Sequence, residues 1–496
     1  MQPDHQPQPL SPSRRHQIIH DLQQILPATS VLHTAEALHP YECDGLPAYR
    51  QTPLAVALPE NIEQARQILL LCHQHKIPVV ARGAGTGLSG GAFPLEDGIL
   101  LSLAKFNHIL NIDADNRLAT VEPGVRNLAI SEAAAPYGLY YAPDPSSQIA
   151  CSIGGNVAEN SGGVHCLKYG LTVHNVRQLK LLTIDGELIT LGSESFDSPG
   201  YDLLALINGS EGMLGIVVEV TVLLRPKPAL VQVLLAAFPT LGAAGQAVAK
   251  IIASGIIPAG LEMMDKLAIE AAEAFIHAGY PTDAAAMLLC ELDGSPEECQ
   301  EQTQAVTAIL KHQGARDIQT AITDADRTRL WAGRKSAFPA VGRLSPDYYC
   351  MDGTIPRAHL ATVLEKIDQL GKKYNLRVAN VFHAGDGNLH PLILYNANTP
   401  GELEKAEQFG GEILELCVSI GGTITGEHGV GIEKLDQMCS QFNDQALAQF
   451  HALKAAFDPD SLLNPGKAVP SLHRCAELGR MHVHHGELPF PELPRF

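Results

Sequence analysis

The stretch ARGAGTGLSGGA, residues 81–92, decides how the first half of the chain folds. It holds five glycines, and Gly85, Gly87 and Gly90 satisfy the pattern G-x-G-x-x-G. In a Rossmann fold this pattern follows a strand, opens directly into a helix and precedes a ribose-binding acid by about 20 residues. Here the strand-like run IPVVAR precedes it, but AFPLEDG and a second strand-like run, ILLSL, follow it, and no acid ends a strand at the required distance. The sequence therefore predicts a glycine-dense turn between two strands.

The backbone of such a turn has two possible uses. Its N–H groups can form a concave nest for an anion such as a pyrophosphate, or the turn can be a flexible surface loop. Five glycines in so short a segment cost conformational entropy on folding, which a bound anion would offset. We therefore favour the phosphate site.

Composition narrows the class of protein. The 496 residues are enough for two or three domains, and 45% hydrophobic with 18% charged residues is ordinary for a globular protein. A net charge of −19 argues against a nucleic-acid surface and an anionic membrane. No apolar run approaches the roughly 18 residues of a membrane span, and the N-terminus lacks the apolar core of a signal peptide. Ten cysteines without a C-x-x-C pair indicate reduced thiols, a cytoplasmic location and no iron–sulfur cluster within this chain.

The pattern of predicted strands and helices changes near residue 228. Before it, strand-like runs dominate, with further glycine-rich blocks at 151–170 and 208–226. After it, strands alternate with helices, which favours an α+β domain whose antiparallel sheet carries helices on one face. A hairpin is predicted around AGDGN, and the chain from about 400 onwards is predicted to be helical. The helices predicted in the middle of the chain cover residues 240–254, 266–278 and 296–313.

Two histidines flank the predicted hairpin turn in HAGDGNLH. His383 and His390 would face each other there, and Glu427 of GEHGVG supplies a third donor. Two imidazoles, one carboxylate and open coordination positions suit a catalytic divalent ion such as Zn²⁺ or Mn²⁺. Asp386 and Asn388 are alternative oxygen donors; otherwise they only form the turn and the histidines are structural. We favour the metal site.

Two more side chains have the chemistry of a catalytic site. His428 lies between glycines in GEHGVG and is the natural general base, since a histidine titrates near neutrality and a nearby cation would keep it unprotonated. RLWAGRKSAFPAVGR, residues 329–343, is rich in basic residues. Of these, Arg334 is the candidate for binding a substrate carboxylate, because a guanidinium matches a carboxylate with paired hydrogen bonds.

The order of these motifs resembles one family closely. It is the flavoproteins of the vanillyl-alcohol-oxidase / p-cresol-methylhydroxylase (PCMH) type, and within it the FAD-linked D-2-hydroxyacid dehydrogenase branch, which includes the glycolate oxidase D-subunits. The resemblance covers about residues 20–468. The motifs that carry it are RGAGTGLSGGA, GGNVAENSGG, GSEGMLGI, HAGDGNLH, GEHGVG and LLNPGK.

The resemblance implies a particular domain organisation in the α+β class. A PCMH-type FAD-binding domain of two α+β subdomains is followed by an α+β cap domain with an antiparallel sheet and by a C-terminal helical segment that returns to the FAD-binding domain. The implied divisions are a disordered tail at 1–20, the FAD-binding domain at 21–228, the cap domain at 229–420, the returning segment at 421–468 and a tail at 469–496.

FAD is implied as a bound but not covalently linked cofactor. By resemblance, the first glycine block cradles the pyrophosphate, the second and third pack on the flavin, and LLNPGK closes the site. The residues so implied are Arg82, Gly83, Ala84, Gly85, Thr86, Gly87, Leu88, Ser89, Gly90, Gly154, Gly155, Asn156, Ala158, Gly162, Gly212, Gly215, Ile216, Val217, Asn464 and Lys467.

The resemblance also assigns roles in catalysis. His383, His390 and Glu427 would hold the metal, His428 would take the hydroxyl proton, and Arg334 would bind the substrate carboxylate. The family's hydroxyglutarate branch has a lysine for a second substrate carboxylate where this chain has Cys350. The implied substrate is therefore a small monocarboxylate such as glycolate or D-lactate.

The implied reaction is oxidation of a small 2-hydroxy acid to the 2-oxo acid. Electrons would pass to a partner subunit with iron–sulfur centres and on to a quinone, which places the protein in the cytoplasm or, through that partner, at the periphery of the inner membrane. Two alternatives stay open. One is an FAD-dependent transferase of the alkyl-glycerone-phosphate synthase type, and the other is a non-catalytic flavin subunit of an electron-transfer complex.

Overall fold

The computed structural model describes residues 9–195 and 200–470. The first subdomain carries the glycine-dense turn beside a small four-stranded sheet. Its elements are α1 (Pro12–Ile25), β1 (Val31–Leu32), α2 (Ala35–Leu38), β2 (Ala55–Ala57), α3 (Ile62–His75), β3 (Val79–Arg82) and β4 (Ile99–Ser102).

This sheet has the order β1-β2-β4-β3. Strands β2 and β3 are both parallel to β4, and helix α3 makes the crossover between them. Asn61 caps α3 by accepting a hydrogen bond from the N–H of Gln64, and the apolar face of the helix is buried. The turn after β3 leads to β4 without an intervening helix. The prediction of a turn between two strands, and not a Rossmann loop, is therefore confirmed.

Part of the segment predicted as a disordered tail, residues 1–20, is helical. Helix α1 begins after Ser11, whose side chain accepts the N–H of Arg14. Ile18 and Leu22, one helical turn apart, are buried in the core of the first subdomain. This apolar pair explains the correction, because it gives the segment a face to bury. Residues 1–8 lie outside the described residues.

The second subdomain is a five-stranded antiparallel sheet of order β5-β6-β10-β8-β9. The second glycine block forms helix α5, and the third leads directly into strand β10. The elements are β5 (Ile109–Asp113), β6 (Leu118–Val121), α4 (Asn127–Ala134), β7 (Leu139–Tyr140), α5 (Ile153–Glu159), α6 (Cys166–Tyr169), α7 (Thr172–Asn175), β8 (Val176–Leu182), β9 (Leu188–Gly192), α8 (Leu203–Ile207), β10 (Ile216–Leu223) and β11 (Arg225–Pro226).

The cap is built on an antiparallel sheet of order β15-β12-β14-β13-β18-β19-β16, with β17 also paired to β19. The predicted α+β class with an antiparallel cap sheet is confirmed. The elements are β12 (Leu230–Phe238), α9 (Leu241–Ala253), β13 (Gly260–Asp265), α10 (Lys266–Ile276), β14 (Ala286–Gly294), α11 (Pro296–His312), β15 (Arg316–Thr320), α12 (Asp324–Lys335), α13 (Ala337–Val341), β16 (Asp347–Cys350), β17 (Gly353–Thr354), α14 (Leu360–Tyr374), β18 (Val378–His383), β19 (Asn388–Tyr395) and α15 (Glu402–Ser419).

Helices cover both faces of the cap sheet, so the prediction of helices on one face is wrong. Leu234 and Phe238 of β12 pack with α9, α11, α14 and α15, whereas Val233 and Leu235 pack with α10, α12 and α13. The physical reason is visible in β12 itself: residues 233–238 are all apolar and all buried, as expected of a strand covered on both faces.

The C-terminal segment contains α16 (Leu435–Gln441) and α17 (Asp444–Phe457) and then returns to the first subdomain. There Leu463 lies beside Val79 of β3 in parallel orientation. The Val79 N–H donates to the carbonyl of Leu462 at 2.8 Å, and its carbonyl accepts the N–H of Asn464 at 2.7 Å. The chain thus closes next to the strand that begins the glycine turn. Residues 471–496, most of the predicted tail at 469–496, lie outside the described residues.

The cysteines depart in one place from the expected reduced thiols. Among the described residues, eight cysteines carry free thiols, and seven of these are buried. Cys439 is disulfide-bonded. It lies partly exposed on α16. Within the described residues, none of the helices is long and apolar enough to span a membrane.

Candidate active site

One cavity of about 380 Å³ lies where the two N-terminal subdomains meet the cap. This size is typical of small-molecule and cofactor sites. The cavity is lined by Arg334, His383, His390, Glu427 and His428, all five predicted catalytic and metal-binding residues. Among the predicted cofactor residues, the cavity is lined by all except Ser89, Gly90, Gly162, Asn464 and Lys467.

The glycine turn has the geometry of an anion cradle. Within the described part of the chain, the backbone N–H groups of residues 84–90 donate no hydrogen bond. Gly85 has a φ of 71°, a left-handed conformation that favours glycine. At Gly83, a Cβ atom would lie only 2.1 Å from the Oγ of Ser152. The turn therefore offers free amides to a phosphate, and a side chain at Gly83 would displace the wall opposite.

Ser89 and Gly90 connect the glycine turn to the GEHGVG loop. The Ser89 hydroxyl donates to the carbonyl oxygen of His428 at 2.8 Å, and the Ser89 carbonyl accepts the N–H of Ile432 at 3.0 Å. A Cβ on Gly90 would lie 2.5 Å from the Ile432 side chain. These two residues therefore position the loop that carries His428 and do not face the cavity.

Gly162, Asn464 and Lys467 also lie outside the cavity lining, and each contacts a residue that lines the cavity. A Cβ on Gly162 would lie 2.6 Å from Oε2 of Glu427. Asn464 donates from Nδ2 to the carbonyl of Gly91 at 3.0 Å, and Lys467 donates to the same carbonyl at 3.1 Å. Burial lowers the pKa of Lys467 to about 7. Asn464 and Lys467 thus fix the end of the glycine turn.

The hairpin β18–β19 brings the two histidines onto one face. Val381 lies opposite His390 and His383 opposite Asn388, so the histidines are diagonal neighbours, with ring centroids 5.1 Å apart. Glu427 joins them from the GEHGVG loop. Its Oε1 lies 2.9 Å from Nε2 of His390 and 3.4 Å from Nε2 of His383.

These three side chains fit a divalent cation. One ligand atom from each of His383, His390 and Glu427 lies within 4.8 Å of the other two. Imidazole nitrogens with one carboxylate oxygen are a donor set that Zn²⁺ and Mn²⁺ accept. The alternative donor Asp386 serves as a turn-former, because its Oδ1 accepts the N–H of Asn388 at 3.0 Å.

A buried carboxylate links the histidine pair to the arginine. Glu262, 1% exposed on β13, contacts Nδ1 of His383 with one oxygen at 2.9 Å and Nη2 of Arg334 with the other at 2.6 Å. Glu262 and Glu427 together raise the pKa of His383 well above its usual value against the effect of burial. The contact to Nδ1 leaves Nε2 directed at Glu427, the arrangement by which a carboxylate orients a metal-binding histidine.

Two more acids hold the GEHGVG loop in place. Oδ2 of Asp352 accepts the N–H groups of residues 426–428 at 2.9–3.2 Å and an ion pair from Lys434 at 3.1 Å. Glu211 accepts the N–H groups of residues 430–431, each at 2.7 Å. Because five backbone amides donate to two buried carboxylates, the loop is held in place through its backbone.

His428 lies against His390, with ring centroids 4.9 Å apart and planes inclined by 17°. Its Nε2 is 3.8 Å from Oε1 of Glu427, and its Nδ1 is buried without a hydrogen-bond partner among the described residues. Burial lowers the pKa of His428 to about 4, so the imidazole is neutral at physiological pH. A neutral imidazole next to a metal site can accept a proton.

Sequence inspection missed three acids that organise the site: Glu211, Glu262 and Asp352. Two of them had a usable signal. Glu262 stands in the apolar run AGLEMMD and Asp352 follows the strand DYYC, and an acid in or beside a buried strand must find a partner. Glu211 lies in the glycine block NGSEGMLG, where no feature of the sequence distinguishes it from an acid exposed on the surface.

Comparisons with known proteins agree with this geometry. Residues 53–192 match the family model of an FAD binding domain, and residues 227–468 match that of the C-terminal domain of FAD linked oxidases. The chain is 64% identical to the glycolate oxidase subunit GlcD of Escherichia coli strain K12 over 97% of both chains. It is 42% identical to the GlcD of Bacillus subtilis over 86% of this chain and 91% of that one. It is 35% identical to a D-lactate dehydrogenase of Archaeoglobus fulgidus over 84% and 91%.

Two solved structures share the fold at low identity. A p-cresol methylhydroxylase superposes with a TM-score of 0.79 at 18% identity, covering 94% of this chain and 99% of that one. An alkyldihydroxyacetonephosphate synthase superposes with a TM-score of 0.73 at 17% identity, covering 93% and 87%. The fold and the glycine cradle define a flavoprotein of the PCMH type, which binds FAD. More closely, the chain belongs to the FAD-linked oxidase family, as the motif resemblance predicted.

Proposed function

We propose that this protein oxidises a small 2-hydroxy acid, glycolate or D-lactate, to the 2-oxo acid and passes the electrons to FAD. The observation that carries the proposal is the meeting of the glycine cradle, Arg334 and the His383–His390–Glu427 cluster in one cavity. Relatives named glycolate oxidase subunit and D-lactate dehydrogenase support it. On this proposal the FAD-binding domain spans residues 21–228, the cap 229–420 and the returning segment 421–468.

Arg334 would bind the substrate carboxylate. Its side chain is 2% exposed, lies on the last turn of α12 and lines the cavity. Glu262 lies 2.6 Å from Nη2, and both Nη2 and Nε are buried without a hydrogen-bond partner among the described residues. A guanidinium has five N–H donors, so donors remain for a second carboxylate. Glu262 keeps the fork in one orientation while the substrate binds.

His428 would accept the hydroxyl proton of the substrate. The neutral imidazole lies next to Glu427, so a substrate hydroxyl bound by the metal cluster would be close to it. A metal held by His383, His390 and Glu427 would lower the pKa of that hydroxyl. FAD, when bound, supplies the hydride acceptor.

We predict that His383→Ala lowers metal content and turnover while FAD stays bound. His383 offers Nε2 to the metal cluster and does not belong to the glycine cradle. Metal content by mass spectrometry of the purified variant, together with its flavin spectrum, would check this. Full activity in protein stripped of metal would contradict the metal site.

The electrons would leave through a partner subunit. The relatives from Escherichia coli and Bacillus subtilis are named as subunits, which supports an assembly. The proposed partner carries iron–sulfur centres and delivers electrons to a quinone. We therefore propose a cytoplasmic protein that associates with the inner membrane only through partners.

A transferase of the alkyl-glycerone-phosphate synthase type shares the fold, as the second superposition illustrates. The paired histidines with Glu427 and Arg334 favour a hydroxy acid over a long acyl chain. A non-catalytic flavin subunit would need neither the paired histidines nor Arg334. Steady-state dye reduction by the isolated chain separates this last alternative from an enzyme.

The decisive experiment is anaerobic flavin reduction. Purified protein with bound FAD is mixed with a panel of D- and L-2-hydroxy acids, and the flavin absorbance is followed. We expect bleaching with glycolate or D-lactate. A flavin that no hydroxy acid bleaches would overturn the proposal, as would a colourless preparation that FAD cannot restore.

A further inference from the structure

Cys350 ends strand β16 directly behind the two stacked histidines. Its sulfur and one nitrogen each from His390 and His428 lie within 4.8 Å of one another. Cys350 is 6% exposed and His390 is 2% exposed. This cysteine is the residue at which the sequence departs from the hydroxyglutarate branch, and the proposed reaction gives it no role.

Three atoms that these residues could offer as ligands have weak attachments or none. The Cys350 sulfur has a long contact of 3.5 Å to the Met351 carbonyl. Nδ1 of His390 contacts the same carbonyl at 3.4 Å. Nδ1 of His428 is buried and has no hydrogen-bond partner among the described residues. A buried nitrogen without a partner costs free energy, and an added ligand would relieve that cost.

Two imidazoles and one thiolate are the donor set of many zinc sites. In a tetrahedral site with Zn–N near 2.0 Å and Zn–S near 2.3 Å, the ligand atoms lie about 3.3–3.6 Å apart. The cluster reaches that spacing if its side chains move by about 1 Å. Thiolates prefer soft ions, whereas the carboxylate of the His383–His390–Glu427 cluster suits harder ones.

We infer that Cys350, His390 and His428 form a second metal site, which captures soft divalent ions such as Cd²⁺ or excess Zn²⁺. Binding replaces the thiol proton by the metal, and one proton is released to solvent. No electron is transferred. His390 belongs to both clusters, and His428 is the proposed base. Soft-ion binding would therefore inhibit the enzyme, a consequence that rests on the proposed function, although the binding itself does not.

The test titrates Cd²⁺ into protein that keeps its FAD but has been stripped of metal with a chelator. The first readout is the ultraviolet charge-transfer band of a cadmium thiolate. We expect the band in the wild-type protein and in His383→Ala, in which the first cluster is broken. The band should be lost in Cys350→Ala and Cys350→Ser. Cys43→Ser is the matched control, because Cys43 is the one partly exposed free thiol among those described, and it should keep the band.

The second readout is inhibition of flavin reduction by Cd²⁺. Substituting a residue that only orients a metal ligand already lowers metal affinity about 10–100-fold. Loss of the Cys350 ligand should therefore raise the half-inhibitory Cd²⁺ concentration at least tenfold, with normal flavin content as the check on folding. A wild-type protein without the band, or a Cys350→Ala variant that keeps it, would overturn the inference. If the band behaves as expected but no hydroxy acid reduces the flavin, only the proposed function is overturned.

Discussion

At the scale of single residues, the site depends on buried carboxylates that do not line the cavity. Glu262 contacts both Arg334 and His383. Asp352 accepts hydrogen bonds from three backbone N–H groups and forms an ion pair with Lys434. Side chains that act through another group have no motif of their own. The sequence therefore indicated the histidines and the arginine, which stand out between glycines or in a basic run, and did not indicate these acids.

Glu262→Gln should weaken metal binding and substrate binding together. The amide keeps one acceptor but loses the charge that orients His383 and balances Arg334. We expect metal affinity to fall about 10–100-fold and KM to rise, with FAD retained. Equilibrium dialysis and steady-state kinetics measure the two effects. Asp265→Asn, on the same strand but in a helix cap, is the control and should change stability only. Unchanged metal affinity in Glu262→Gln would contradict the orienting role.

The lowered pKa of His428, about 4, predicts the pH at which activity falls on the acidic side. A base acts only when unprotonated, so kcat/KM should rise with pH through this region and stay level from about pH 5 to 8. An unperturbed histidine would give an inflection near 6.5. Stopped-flow flavin reduction across pH is the measurement. His428→Ala should slow reduction about 10²–10⁴-fold. An inflection at 6 to 7 that vanishes in His428→Ala would show that the site leaves this histidine unperturbed.

At the scale of elements, the sequence predicted those features whose residues are neighbours in the chain. The turn at residues 82–91 was predictable because its glycines and its flanking strands are neighbours in the chain. The hairpin β18–β19 was predictable for the same reason. The two-sided burial of the cap sheet was missed, although the unbroken apolar run of β12 carries that signal. The partners of Glu262 could not be inferred, because they lie 72 and 121 positions away (334 − 262 and 383 − 262).

Gly83→Ala should cost FAD affinity through a clash within the cradle. The new Cβ would lie 2.1 Å from the Ser152 hydroxyl oxygen, so the turn or helix α5 must move. We expect a lower flavin content after purification and a weaker FAD affinity on reconstitution. Adding Ser152→Ala should restore part of the affinity, because it removes the clashing oxygen. Gly242→Ala, on α9 and away from the cradle, is the matched control, since an added Cβ there has no neighbour within 4 Å. Equal FAD loss in both single variants would refute the steric explanation.

At the scale of the whole molecule, a charged contact fastens the cap to the FAD-binding subdomains. His165 lies between Asp144 at 2.9 Å and Glu291 of the cap sheet at 2.9 Å. Trp331, on the helix that carries Arg334, donates from its indole nitrogen to the same Glu291 at 2.5 Å. The contact thus joins the second subdomain to the helix that carries Arg334.

This contact should make stability depend on pH. Asp144 and Glu291 raise the pKa of His165 well above its usual value, although burial acts in the opposite direction. The stabilisation is fully present below the unfolded pKa near 6.5 and is lost as pH rises through the higher folded pKa. Thermal midpoints of the wild type and His165→Gln should therefore differ most at acidic pH and converge at alkaline pH. His108→Gln, which removes a mostly exposed pair with Glu122, should differ little at any pH. A difference that grows with pH would contradict the assignment.

The glycine turn is completed by side chains that the ribosome adds long after the turn itself. Gly91 at the end of the glycine turn is held by Asn464 and Lys467, separated from it by 373 and 376 positions. During synthesis the early subdomain must therefore wait, with the end of its glycine turn unsupported, until residues 464–467 have emerged. Loading with FAD is accordingly expected to follow synthesis of residue 467, and truncation just before residue 464 should leave a protein that folds in large part yet stays colourless.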